Sequence, residues 1–112
     1  MSCYIKQAIS PSQETAFYIG KTRQNPITQR GEPMNKSVSN FINENGQVSW
    51  RVLLVIPDHE LHSEYGESYL VNCFKDKLAH LPLLNVIKPH ALALGYDKRS
   101  ESFIDKLVKL FV

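Results

Sequence analysis

A chain of 112 residues, 43% hydrophobic and 21% charged, has enough apolar material to bury one core and not two. A formal net charge of +2 excludes a histone-like polybasic protein, so any affinity for nucleic acid has to come from a local patch. Two distant cysteines, Cys3 and Cys73, make neither a disulfide framework nor a zinc site, and a reduced cytoplasmic setting is the default expectation. No apolar run approaches the roughly 20 residues of a membrane-spanning helix, and MSCYIKQAIS lacks the basic start and apolar block of a secretory signal, so no membrane partner is expected.

Cys3 to Ile9 and Ala16 to Ile19 read as two short strands, and the turn residues Ser10 to Glu14 join them into a hairpin. A hairpin centred on Pro11 sets Tyr4 directly opposite Tyr18, with both rings on one face. A slip of one residue would separate them. The second strand ends at Gly20, and a polar loop carrying Lys21, Arg23 and Arg30 runs on to Pro33. A helix is predicted over about Asn35 to Asn43, with Val38, Phe41 and Ile42 inward and Gly46 as its left-handed stop.

Val48 to Ile56, VSWRVLLVI, is the most apolar run and predicts a central strand covered on both faces. Pro57-Asp58 breaks it and caps a long helix over about His59 to Ala79. That helix carries an apolar stripe of Leu70, Val71, Phe74 and Leu78, and Glu67 stands where the next aliphatic would fall. His80 to Pro89 reads as irregular. Asp97 to Ser100 is the expected hinge before a last helix, about Ser100 to Phe111, which buries Phe103, Ile104, Leu107, Leu110 and Phe111. The order ββαβα plus a terminal helix predicts a small α/β domain of the α+β kind. It comprises a central antiparallel three-stranded sheet flanked by helices over residues 1–90, with a C-terminal helical extension, residues 91–112, packed on it.

Taken singly, Tyr4 and Tyr18 read as packing aromatics, and Lys21, Arg23 and Arg30 as solvated charges. A phenol with an ordinary pKa near 10 is a poor base, but cations such as Lys21 and Arg30 would favour the phenolate and lower that value. Arg30 could hold a phosphate oxygen in a two-pronged hydrogen bond and offset charge in a transition state. Arg23 suits a contact with a nucleic-acid backbone. A lone carboxylate on an apolar face, as at Glu67, is costly unless it is paired or holds a cation. Glu60 and Glu64 lie on nearly the same helical face and are rival ligands. Neither a His-x-x-x-His pair nor a glycine-rich nucleotide loop is present in the sequence.

In order along the chain stand Tyr4, Tyr18-Ile19-Gly20-Lys21, Arg30, Glu67 at the head of an apolar stripe, and Leu83-Leu84-Asn85. That set resembles the GIY-YIG nuclease superfamily over roughly residues 2 to 86. The YIG half is intact, whereas only the tyrosine of the GIY half remains, in Ser2-Cys3-Tyr4. Met34 stands where the family usually carries a histidine or tyrosine. The resemblance implies a metal-dependent endonuclease acting on DNA, with Mg²⁺ or Mn²⁺ as cofactor. It implies Tyr4, Tyr18, Lys21, Arg30 and Glu67 as catalytic residues, Glu67 as metal ligand, and Gly20, Arg23 and Asn85 as substrate-binding residues. The two departures motivate an alternative, a catalytically impaired DNA-binding or regulatory module of the same fold, and monomer and homodimer both stay open.

Overall fold

A computed structural model describes residues 2–23, 35–57, 63–85 and 95–111. Among these, three strands form one antiparallel sheet: β1 (Ser2–Ile9), β2 (Thr15–Thr22) and β3 (Ser49–Pro57), in the spatial order β2-β1-β3. The helices are α1 (Lys36–Asn45), α2 (Ser63–Lys77) and α3 (Lys98–Phe111). The architecture is the small α+β arrangement that the element order predicts.

The central strand is β1, not the expected VSWRVLLVI segment. Six consecutive residues of β1, Cys3 to Ala8, are buried, including the polar Lys6 and Gln7. In β3 only Ile56 is buried, and that strand forms an edge of the sheet. Its unbroken apolar run has another cause. The β1–β3 register shifts between Ile5, paired with Leu54, and Lys6, paired with Val52, leaving Leu53 as an extra residue in a bulge. Leu53 and Leu54 therefore both pack on the core beside Ile56, while Trp50 packs on the opposite face. A bulge, rather than burial on two sides, removes the alternation.

The two sheet faces carry separate cores. Cys3, Ile5, Phe17, Ile19 and Ile56 meet Leu70, Val71, Cys73, Phe74 and Leu78, together with Ile104 and Leu107 of α3. On the other face Ala8 and Ala16 pack with Val38 of α1, Val48 and Leu84, with Phe41, Ile42 and Trp50 around them. The stripe read from the sequence thus faces the core as expected, and α3 shares that core. Leu110 departs from expectation, being 63% exposed.

Helix ends follow local chemistry. Asn35 caps α1 by accepting from the Val38 N–H at 2.8 Å, and Gly46, with φ of 87°, closes it by donating to the Ile42 carbonyl. Asp97 is a cap rather than part of a hinge: its carboxylate accepts from Ser100 N–H at 2.9 Å as α3 begins. Lys77 of α2 bridges Asp105 at 2.8 Å and Glu101 at 3.4 Å on α3, a partly exposed clasp that adds little beside the apolar contacts.

Phe17 is 1% exposed and packs against Phe74 and Phe111, with ring centroids 5.5 and 5.1 Å away. Phe17→Ala is expected to cost about 3–5 kcal/mol in denaturant unfolding. Leu110→Ala, at the exposed end of the same helical stripe, should stay within about 0.5 kcal/mol of the parent.

Candidate active site

The β-hairpin places the tyrosines. Ile9 pairs with Thr15, and the five residues between them form a loop closed by Ser10 N–H to the Glu14 carbonyl (2.9 Å) and Gln13 N–H to the Ser10 carbonyl (3.0 Å). Gln13 sits at φ of 70°, the left-handed residue such a loop needs. The hairpin therefore centres on Ser12. Tyr4 lies opposite Gly20, and Tyr18 opposite Lys6, which corrects the expected Tyr4–Tyr18 pair. The displacement amounts to two residues along β2, so both rings stay on one face. They meet diagonally with centroids 6.3 Å apart and planes inclined at 35°.

Gly20 does not end the strand; β2 continues through Lys21 to Thr22. Its lack of a side chain serves packing. A Cβ built on Gly20 would lie 2.5 Å from the Tyr4 hydroxyl oxygen and 2.6 Å from Tyr4 Cζ. Tyr4, itself 5% exposed, thus lies across bare backbone. Gly20 shapes the site without presenting a polar group from a side chain.

The paired ends of the strands, Ser2, Thr22 and Pro57, form one end of the sheet. Because β3 ends at Pro57 and α2 starts at Ser63, the first turns of α2 also begin near that end. Glu67, half-buried, acts electrostatically on both tyrosines. Tyr4 is pushed from its ordinary 10 up to about 12, chiefly by burial, then by Tyr18 and Glu67. Tyr18 is raised by burial and then by Glu67. The expected lowering by cations is thereby reversed: with Glu67 charged, both phenols remain protonated at neutral pH and act as hydrogen-bond donors.

Lys21 and Arg23 are exposed at this same end. Strand alternation sends Lys21, opposite Cys3, to the face away from the tyrosines. Among the described residues Lys6 is the cation of the tyrosine face, and the sequence pattern did not single it out. It is 5% exposed, its Nζ sits 4.9 Å from the Tyr4 ring centroid, and burial lowers its pKa. The available signal was the i, i+2 relation of Tyr4 and Lys6 on one strand. A lysine inside an apolar strand gave no hint that it would be buried.

Asn85 is structural. Its side-chain amide accepts from Ile19 N–H at 2.8 Å and donates to the Ile19 carbonyl at 2.7 Å, replacing a strand residue on the outer edge of β2. Phe17 completes this seal, donating to the Pro82 carbonyl and accepting from Leu84 N–H. Asn35 donates to the Leu84 carbonyl at 3.0 Å, tying the cap of α1 to the same segment. The residues on either side of Ile19, Tyr18 and Gly20, are thereby held in place.

Arg30, Met34, Glu60, His59 and His62 lie outside the described residues, as does the side chain of Glu64. Among the described residues no cluster of three histidine, cysteine, aspartate or glutamate side chains could enclose a metal ion. Glu67 offers one carboxylate, which fits the way Mg²⁺ binds through one or two carboxylates plus water and phosphate oxygens. No helix among the described residues is long and apolar enough to cross a membrane.

Gly20→Ala is expected to destabilise the protein by about 1–3 kcal/mol, because the Tyr4 ring must shift. Most of that loss should vanish when the same change is made in a Tyr4→Ala background, as a double-mutant cycle in urea would measure. Tyr4 also predicts an alkaline limit. Its neutral phenol contributes stability that is complete below pH 10 and is lost as pH rises towards about 12. Unfolding midpoints followed against pH should therefore shift in favour of Tyr4→Phe over the parent above pH 10.

Protein-family models, curated proteins and solved structures were all compared with this chain, and none matches it.

Proposed function

We propose that this protein is a GIY-YIG-like endonuclease domain that hydrolyses DNA phosphodiester bonds with a divalent cation held at Glu67. The observation that carries the reading is the electrostatic coupling of Glu67 to both Tyr4 and Tyr18, three residues from three separate segments of the chain. Burial and perturbed ionisation concentrated in one cluster are what an acid–base site needs. The order of Tyr18-Ile19-Gly20-Lys21, Glu67 and Asn85 in the sequence supports the same reading.

In this reading the neutral phenols of Tyr4 and Tyr18 donate hydrogen bonds to the phosphate oxygens. Lys21 and Arg23, exposed at the same end of the sheet, neutralise backbone phosphates of the duplex. Arg30 supplies a further charge against the phosphate. Bound Mg²⁺ or Mn²⁺ would supply Lewis-acid polarisation of the phosphate and charge stabilisation at the leaving oxygen. Glu67, once its charge is compensated, would no longer add to the rise in either tyrosine pKa, which brings a phenol closer to losing its own proton and, as phenolate, taking the proton of the attacking water.

The elevated tyrosine pKa values also favour a second reading, a DNA-binding module of the same design without turnover. Nicking of supercoiled plasmid with Mg²⁺ or Mn²⁺ separates the two. The nuclease reading expects metal-dependent nicking by the parent and loss to background in Glu67→Ala, with a strong reduction in Arg30→Ala. Cleavage without metal, or undiminished cleavage by Glu67→Ala, would sink it. Salt-sensitive DNA binding without nicking would establish the binding module instead.

A further inference from the structure

Lys6 has no role in the mechanism above, yet it is the most unusual charge among the described residues. It lies on the central strand with Tyr4 beside it and Tyr18 directly across, and it is 5% exposed. Its one contact of electrostatic kind is the Tyr4 ring, 4.9 Å from Nζ to centroid, and no carboxylate partner for it stands among the described residues. Tyr4, Tyr18 and Lys6 thus put three donors, one of them a cation, on one face.

An ammonium on a lysine only 5% exposed, with no carboxylate beside it among the described residues, is poorly solvated, and an anion arriving beside it offsets that cost. Low local dielectric strengthens that attraction beyond what an exposed lysine such as Lys21 could supply. The required ligand group offers several acceptor oxygens and no donor, which describes a phosphate better than a neutral sugar or amide. Two other candidate residues are directed elsewhere: Lys21 projects to the opposite side, and Asn85 is spent on the Ile19 backbone.

We propose that Lys6 is the phosphate-binding cation of this face, seating an anionic oxygen between its ammonium and the hydroxyls of Tyr4 and Tyr18. The assignment rests on the nucleic-acid reading for the source of the phosphate, and on the Lys6–Tyr4–Tyr18 geometry for the site. Lys6 is a substrate-binding residue here; the chemistry of bond cleavage stays with the groups around Glu67.

Two probes test it, a short DNA duplex and inorganic phosphate, with Lys6→Met and Lys6→Arg beside the parent. In fluorescence anisotropy across a salt series, Lys6→Met is expected to bind several-fold more weakly, with a slope of log K against log salt shallower by about one. Lys6→Arg should keep most of the slope. The melting temperature of Lys6→Met should not fall, since methionine keeps the packed aliphatic stem and removes a poorly solvated charge. Phosphate should raise the melting temperature of the parent more than that of Lys6→Met, relative to chloride at matched ionic strength; the variant controls for phosphate's general stabilising effect. An unchanged salt slope together with equal phosphate protection overturns the assignment. So does an equal loss of DNA affinity in both variants accompanied by a lower melting temperature, which identifies a packing role. Phosphate protection that depends on Lys6 in a protein with no DNA affinity would keep the anion site and remove the nucleic-acid reading.

Discussion

The Tyr4 ring lying across the bare backbone of Gly20 is the contact on which the rest of this site depends. It can form only if Tyr4 stands opposite Gly20, and that register follows from the five-residue loop between Ile9 and Thr15. The same register puts Lys6 opposite Tyr18 and brings the two phenol rings onto one face. One register thus carries three consequences, all geometric: Tyr4 over Gly20, Lys6 opposite Tyr18 and two rings on one face. A strand slip of one residue would turn the tyrosines to opposite faces, and no local rearrangement could restore the cluster.

Around this contact the two sheet edges are treated differently. The outer edge of β2 is sealed by residues 82–85, where an asparagine side chain stands in for backbone and satisfies both polar groups of Ile19. The seal is also a positioning device, because it fixes the residue between Tyr18 and Gly20 and, through Asn35, the start of α1. On the other side β3 carries a bulge at Leu53 and Leu54, which turns two consecutive leucines towards one core. The sheet is consequently strongest in its centre, at β1, where packing comes from both faces.

Electrostatically, the cluster differs from what isolated residue types imply. Burial raises Tyr4 and Tyr18 and lowers Lys6, so each group is pushed towards its neutral form. Glu67 adds to the rise of the phenols, and its charge is the term a bound cation would cancel. A site built this way responds strongly to charge arriving from outside. That is the physical content of the proposed pairing between a metal at the carboxylate and a phosphate at the tyrosine face.

Much of the fold was legible in the chain. Turn residues, the N-cap at Asn35, the glycine stop at Gly46 and the spacing of Leu70, Val71, Phe74 and Leu78 are local or periodic signals, and local forces decide them. Glu67 stood out as a carboxylate interrupting an apolar stripe, but nothing in that pattern set it near the tyrosines. Strand order was not legible. Hydropathy favoured VSWRVLLVI as the central strand, whereas Cys3 to Ala8, with a lysine and a glutamine inside it, took that place. Position within a sheet depends on which edges find partners, and burial of Lys6 and Gln7 depends on what packs over each face of the sheet. The sequence by itself determined the elements, their ends and the residues rich in chemistry. Tertiary structure alone decided the strand order, the β1–β3 register with its bulge and the direction of each pKa, because these arise from pairing and desolvation between segments that are remote along the chain.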